Sequence, residues 1–152
     1  MTKRTLGDIL AAACFNEEKE NSMTTYSFEE EGEIWFPSEI FSRQMKFGSA
    51  TVLGRGADLD YLLYSLEEAD AMRWIMSAGF LYTGQEDTYN SGDLSVPMTT
   101  FRSRNGIYNL VLVRKASDFM NMRKANALCA KLKLANKADR ITVFNSITQG
   151  EI

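Results

Sequence analysis

Gly48-Ser49, eight intervening residues and then Asp58-Leu59-Asp60 form the one arrangement in this sequence with chemical content. On a strand the side-chain period is two, so Asp58 and Asp60 point to the same face. Two carboxylates held side by side repel each other unless a cation sits between them. Magnesium is bound in this manner, by one or two carboxylates together with phosphate oxygens. Gly48 and Ser49 let a backbone approach phosphates closely and offer amides and a hydroxyl as donors. Arg55, in the loop Gly54-Arg55-Gly56 between the two motifs, adds a candidate phosphate contact. An Asp-x-Asp pair also occurs as an ordinary solvated strand end, and the residues alone leave both readings open.

The elements that must position these residues follow from periodicity and turn chemistry. Lys46-Phe47 reads as a short strand running into the Gly48-Ser49 turn, and Asp58 to Tyr64 as an aliphatic and aromatic strand. Ser65-Leu66-Glu67-Glu68 matches a capping box, in which Ser65 accepts from the Glu68 amide. The helix it opens turns Leu66, Ala69, Met72, Ile75 and Met76 inward and stops at Gly79. Phe80 to Tyr82 reads as a strand, followed by a polar segment from Gly84 to Pro97. Met98 to Arg104 and Ile107 to Val113 flank Asn105-Gly106, a strong hairpin signal. Ser117 caps a helix with Phe119, Met122, Ala125, Cys129 and Leu132 inward. Asn136 caps a last one with Ile141, Phe144 and Ile147 inward and Gly150 beyond its end.

The N-terminal third is less regular. A capping box at Thr5 predicts a short helix to Phe15, Asn16 to Ser22 and Glu29 to Glu33 read as acidic loop, and Ile34-Trp35-Phe36 as a core anchor. The expected fold is α/β (α+β): a mixed sheet flanked by helices, with a C-terminal helical pair. Residues 1–152 then form a single domain, with a core over 46–113, C-terminal helices over 117–149 and an unplaced segment over 1–45.

Composition narrows the chemistry. Hydrophobic residues make up 45% and charged residues 24%, so the chain is globular. No apolar run reaches the roughly 18–20 residues of a membrane span, and Met1-Thr2-Lys3-Arg4 leads into an amphipathic pattern rather than a secretory signal. There is no histidine, which removes Ser-His-Asp and Cys-His schemes and most zinc sites. A metal here must be a hard ion held by carboxylates, magnesium or manganese. Cys14 and Cys129 sit in helical apolar patterns and read as buried thiols of a reducing compartment, the cytoplasm. The charge balance is −8 from Met1 to Asn109 and +5 from Leu110 to Ile152, so the C-terminal portion suits phosphates, the acidic portion of the same molecule, or solvent.

The pattern Phe47-Gly48-Ser49 … Asp58-Leu59-Asp60-Tyr61 resembles the signature of the DNA polymerase beta-like nucleotidyltransferase superfamily: a hydrophobic residue, Gly, Gly or Ser, a spacer, then Asp-hydrophobic-Asp. The C-terminal part, from Asn109-Leu110-Val111 through Leu128-Cys129-Ala130-Lys131-Leu132 to Asn136-Lys137-Ala138-Asp139-Arg140 and Phe144, is similar to small nucleotidyltransferase-like proteins encoded by bacteriophages. The resemblance spans Phe47 to Gly150 and implies a nucleotidyltransferase-like fold, and a host-cytoplasmic location for a viral chain. It implies that Gly48 and Ser49 contact a triphosphate and that Asp58 and Asp60 hold divalent metal. A third acid in that family completes the site; the corresponding residue here is Asn109, which can ligate through its carbonyl but cannot act as a base. Glu86, Asp87 or Asp93 substitutes if the Gly84–Pro97 segment folds over the site.

Three functions fit these residues. The first is metal-dependent transfer of a nucleotidyl group from a nucleoside triphosphate to a hydroxyl of RNA, protein or a small molecule. The second is a catalytically impaired form of the same fold, acting as a binding or inhibitor protein against a host protein or nucleic acid. The third is plain nucleic-acid binding through Arg102, Arg104, Arg114 and Lys115 beside the hairpin, with Phe101 and Tyr108 for stacking. None of the three involves a membrane.

Overall fold

Side-chain alternation along the strands sorts this sequence into two apolar surfaces, and the architecture follows from covering both. The structure is a computed structural model that describes residues 25–88 and 94–150. Five strands, β1 (Arg43–Phe47), β2 (Leu59–Tyr64), β3 (Leu81–Thr88), β4 (Ser95–Arg102) and β5 (Tyr108–Val113), form one mixed sheet in the order β1-β2-β5-β4-β3. The β2–β5 pair is parallel and the other three pairs are antiparallel. The expected α/β class is borne out at this level, as a mixed sheet with helices on its faces.

One face carries Phe47, Leu62, Met98 and Val113, packed against Phe119, Met122, Ala125, Cys129, Val143 and Phe144. These last six come from α4 (Ala116–Leu132) and α5 (Lys137–Thr148). The opposite face carries Leu59, Tyr61, Leu63, Leu110 and Leu112. It is covered by Ala71 and Ile75 of α3 (Glu68–Ser77) and by Phe28, Phe36 and Phe41 from the segment before β1. Phe28 lies in α1 (Phe28–Glu31), where acidic loop was expected. Ser27 caps α1 by accepting from the Glu30 amide, which suits three glutamates in a first turn. Tyr61 Oη accepts from the Ile34 amide at 2.9 Å, and Tyr108 Oη donates to the Glu31 carbonyl at 2.8 Å, fastening this segment to the sheet.

Several local expectations are corrected. Ser65 does not form a capping box: its hydroxyl donates to the Ile40 carbonyl at 2.5 Å and accepts from the Glu67 amide at 3.0 Å, so α3 begins at Glu68 without a side-chain cap. The inward face of α3 is Ala71, Met72, Trp74 and Ile75, while Leu66 and Met76 are exposed. The helix starts at Glu68, two residues after the expected Leu66, and Ala69, also expected inward, is exposed; the apolar spacing alone did not fix which face packs on the sheet. The strand expected over Phe80 to Tyr82 runs on into the polar segment, as β3 to Thr88, and β4 starts at Ser95 rather than Met98. Within Ile34-Trp35-Phe36, Phe36 is fully buried but Trp35 is exposed. Lys115 rather than Ser117 precedes α4, whereas Asn136 does cap α5, accepting from the Ala138 amide at 2.8 Å. The expected Thr5–Phe15 helix, the Asn16–Ser22 loop, Cys14 and Asp93 lie outside the described residues. Cys129 is a free, buried thiol whose pKa burial pushes up to about 11. No helix among the described residues is long and apolar enough to cross a membrane.

Candidate functional site

Strand register assembles the site. Phe47 stands opposite Asp60 on β1 and β2, Asp60 opposite Asn109 on β2 and β5, and Asn109 opposite Arg102 on β5 and β4. The four residues make one row across four strands, on the face that α4 and α5 cover. Asp58 lies just before β2 and shares the face of Asp60, as the strand period required.

Asn109 Nδ2 donates to Asp58 Oδ2 and, at 3.1 Å, to Asp60 Oδ1. Its Oδ1 in turn accepts from Arg102 Nε at 3.1 Å, and a second guanidinium nitrogen of Arg102 lies 3.6 Å from Asp58 Oδ2. Asp58 Oδ1 and Asp60 Oδ2 have no hydrogen-bond partner among the described residues. Burial, and then repulsion from Asp58, push the Asp60 pKa up to about 7, against the opposing pull of the Asn109 amide, Lys137 and Arg102. The carboxylate pair is therefore only partly compensated by its neighbours.

Gly48 occupies the turn into α2 (Ser49–Leu53) with φ of +85°, and a Cβ there would lie 2.5 Å from Asp60 Oδ2. Glycine is required on both counts. The Gly48 amide donates to Asn126 Oδ1 at 2.9 Å, and Thr51 Oγ1 joins the Gly48 carbonyl to the same Asn126 side chain. Gly56 similarly makes room for the Ser49 hydroxyl, which would lie 2.6 Å from a Cβ at that position.

These groups open on a cleft of about 420 Å³, within the range of small-molecule sites. Gly48, Ser49, Asp58, Asp60 and Asn109 all line it, so the structure brings together five of the six site residues expected from the sequence. Arg55 is elsewhere: its guanidinium bonds Thr25 Oγ1 at 3.0 Å, the Thr25 carbonyl at 2.9 Å and Glu30 Oε1 at 2.6 Å. The basic side chains that do line the cleft are Lys137 and Arg140, three residues apart in the first turns of α5. Sequence reasoning passed over both, although Asn136 as a cap already placed them on one helix face. Glu86 of β3 also lines the cleft, yet no group of three His, Cys, Asp or Glu side chains among the described residues is arranged to hold a metal ion.

The donor set fits a small hard cation shared with phosphate oxygens: two carboxylates, each with a free oxygen, and no soft ligand. The hairpin does not offer a stacking platform for bases. Phe101 is buried, Tyr108 bonds the α1 segment, Arg114 pairs with Glu68 at 3.3 Å, and Arg102 turns to Asp58. The sequence matches no protein-family model and no curated protein.

Proposed function

We propose that the chain binds a nucleoside triphosphate with magnesium or manganese in this cleft and transfers its nucleotidyl group to an acceptor hydroxyl on RNA, a protein or a small molecule. One observation carries the reading: Asp58 and Asp60 from the sheet and Lys137 and Arg140 from α5 line a single cleft whose edge is the Gly48-Ser49 turn. That is the charge arrangement a metal–triphosphate complex requires, with carboxylates toward the cation and basic groups toward the phosphates. The superfamily resemblance at Phe47 to Asp60, now on neighbouring strands of a mixed sheet, supports a nucleotidyltransferase-type fold.

A divalent ion held by Asp58 and Asp60 would supply neutralisation of the phosphates. The chain's own part is positioning. Lys137 and Arg140 bind the phosphate oxygens, and Gly48 lets the backbone come close. The acceptor oxygen bonds to the α-phosphorus, the bond to the bridging oxygen of the β-phosphate breaks, and pyrophosphate leaves with that electron pair. Asn109 cannot take the hydroxyl proton; Glu86 is the remaining carboxylate of the cleft that can.

The test is titration of the wild type and of Asp58→Ala/Asp60→Ala with nucleoside triphosphates, with and without magnesium or manganese. Metal-dependent binding that the double variant loses is the expected result. No binding by the wild type overturns the reading.

A second reading is favoured by the Asn109 amide lying against both carboxylates. On it the cleft binds nucleotide without turnover, and the chain acts as a binding or inhibitor protein against a host protein or nucleic acid. A nucleotide labelled at the α-phosphate separates the two: label passes to an acceptor only on the first.

A further inference from the structure

Arg102, expected from the sequence beside the hairpin as a nucleic-acid contact, instead bonds Asn109 and lies against Asp58. It rests on β4 directly opposite Asn109, half exposed at the end of the row. Through Nε it holds Asn109 Oδ1, which fixes the amide so that Nδ2 faces Asp58 and Asp60. The same guanidinium lies beside Asp58 Oδ2. In this arrangement the carbonyl oxygen of Asn109, its only metal-ligating atom, faces away from the carboxylates.

We infer that Arg102 is a positioning residue that keeps divalent metal out of the free cleft and yields it when a nucleotide arrives. This inference rests on the proposed metal–nucleotide reading and adds an order to it. A guanidinium binds phosphate oxygens in a fork, two bonds at once, whereas here it makes one bond to an amide oxygen and one longer contact to a carboxylate. A triphosphate entering beside Lys137 and Arg140 therefore offers Arg102 the better partner. Once Arg102 moves, Asn109 is free to turn, and Asp58 Oδ2 loses a competing cation. Magnesium sheds its water reluctantly, so an ion facing a guanidinium on one carboxylate and an amide donor on both gains little by entering alone. Metal and nucleotide then bind with positive coupling, and by linkage each tightens the other by the same factor.

The test uses manganese alone as probe, with calorimetric titration of the full chain in the absence and presence of a non-hydrolysable nucleoside triphosphate analogue. In the wild type the analogue should tighten manganese binding within the usual coupling range of about 5–150-fold. Arg102→Ala should bind manganese several-fold more tightly without the analogue and show a reduced coupling factor. Arg102→Gln, which can still donate to Asn109 but carries no charge, should fall between the two. The side-chain amide signal of Asn109 in a ¹⁵N spectrum reports the turn directly: with diamagnetic magnesium alone it should shift in Arg102→Ala but not in the wild type. If the wild type couples the two ligands while folded Arg102→Ala and Arg102→Gln bind manganese alone no more tightly, the gating role is overturned and the metal–nucleotide reading survives. If the wild type binds neither ligand, both fall.

Discussion

Asp60 and Asn109 face each other across the parallel β2–β5 pair, and the Asn109 amide donates to Asp60 Oδ1 at 3.1 Å. Asn109 is a neutral side chain that serves Asp58 and Asp60 together as a hydrogen-bond donor.

Asn109→Asp tests that relationship. The change removes the shared donor and adds a third negative charge to an already strained pair. Without metal the variant should melt below the wild type; with millimolar magnesium it should recover and exceed the wild type's own gain. Thermal denaturation with and without magnesium reads both, and equal responses of the two proteins would contradict the assignment.

Gly48→Ala should destabilise the fold by about 1–3 kcal/mol, because the new Cβ meets Asp60 Oδ2 and the residue must hold a positive φ. Triphosphate affinity should fall with it, since the turn that borders the cleft has to move. Urea denaturation gives the first quantity and nucleotide titration the second; an unchanged midpoint would show that the turn is not held as described.

Lys137 and Arg140 should separate affinity from stability. Lys137→Ala is expected to weaken triphosphate binding roughly tenfold, the loss of one charge-assisted contact, with little effect on melting. Arg140 also donates to the Leu134 and Ala135 carbonyls at 2.9 and 2.8 Å in the turn between α4 and α5. Arg140→Ala should therefore lower both affinity and stability, the latter by about 1–3 kcal/mol. The two variants behaving alike would argue against this division.

The Asp60 carboxyl predicts a pH dependence of unusual sign. Its pKa is raised from 3.8 to about 7 by burial and the Asp58 charge. Between those values the folded chain holds a proton that the unfolded chain has released, so this group's contribution falls as pH rises from about 4 to 7 and is flat above. The slope from this one group is at most ~1.4 kcal/mol per pH unit. Asp60→Asn should remove it, and the difference in unfolding free energy between variant and wild type should grow from pH 4.5 to 6.5. A constant difference over that interval would place Asp60 in an ordinary solvated setting.

Much of this architecture was legible because the signals were local. The Asn105-Gly106 hairpin, the Asn136 cap and the aliphatic and aromatic strand through Leu59 to Tyr64 each depend on a few neighbouring residues, and each appears as expected. The site was legible to the extent that Gly48, Ser49, Asp58 and Asp60 lie close in sequence. Asn109 was reached only through resemblance. Arg102 was expected beside the hairpin rather than against the acids, and Asn126, Lys137 and Arg140 were missed as site residues, because their places depend on strand order and helix packing, which no local pattern encodes. Ser65 shows the opposite failure: a strong local signal lost to a tertiary partner, the Ile40 carbonyl.

The parallel pairing of β2 with β5 also fixes when the site comes into being. Asp60 and its partner Asn109 are separated by 49 residues, whereas β4 and β5 meet through a short turn. Closing the longer loop is the slower event, so the hairpin should exist before the acids meet Asn109. During synthesis, a ribosome that has not yet released β5 carries a chain with its acidic motif complete and its cleft unbuilt. The cleft is thereby confined by topology to a chain in which β5 has paired with β2.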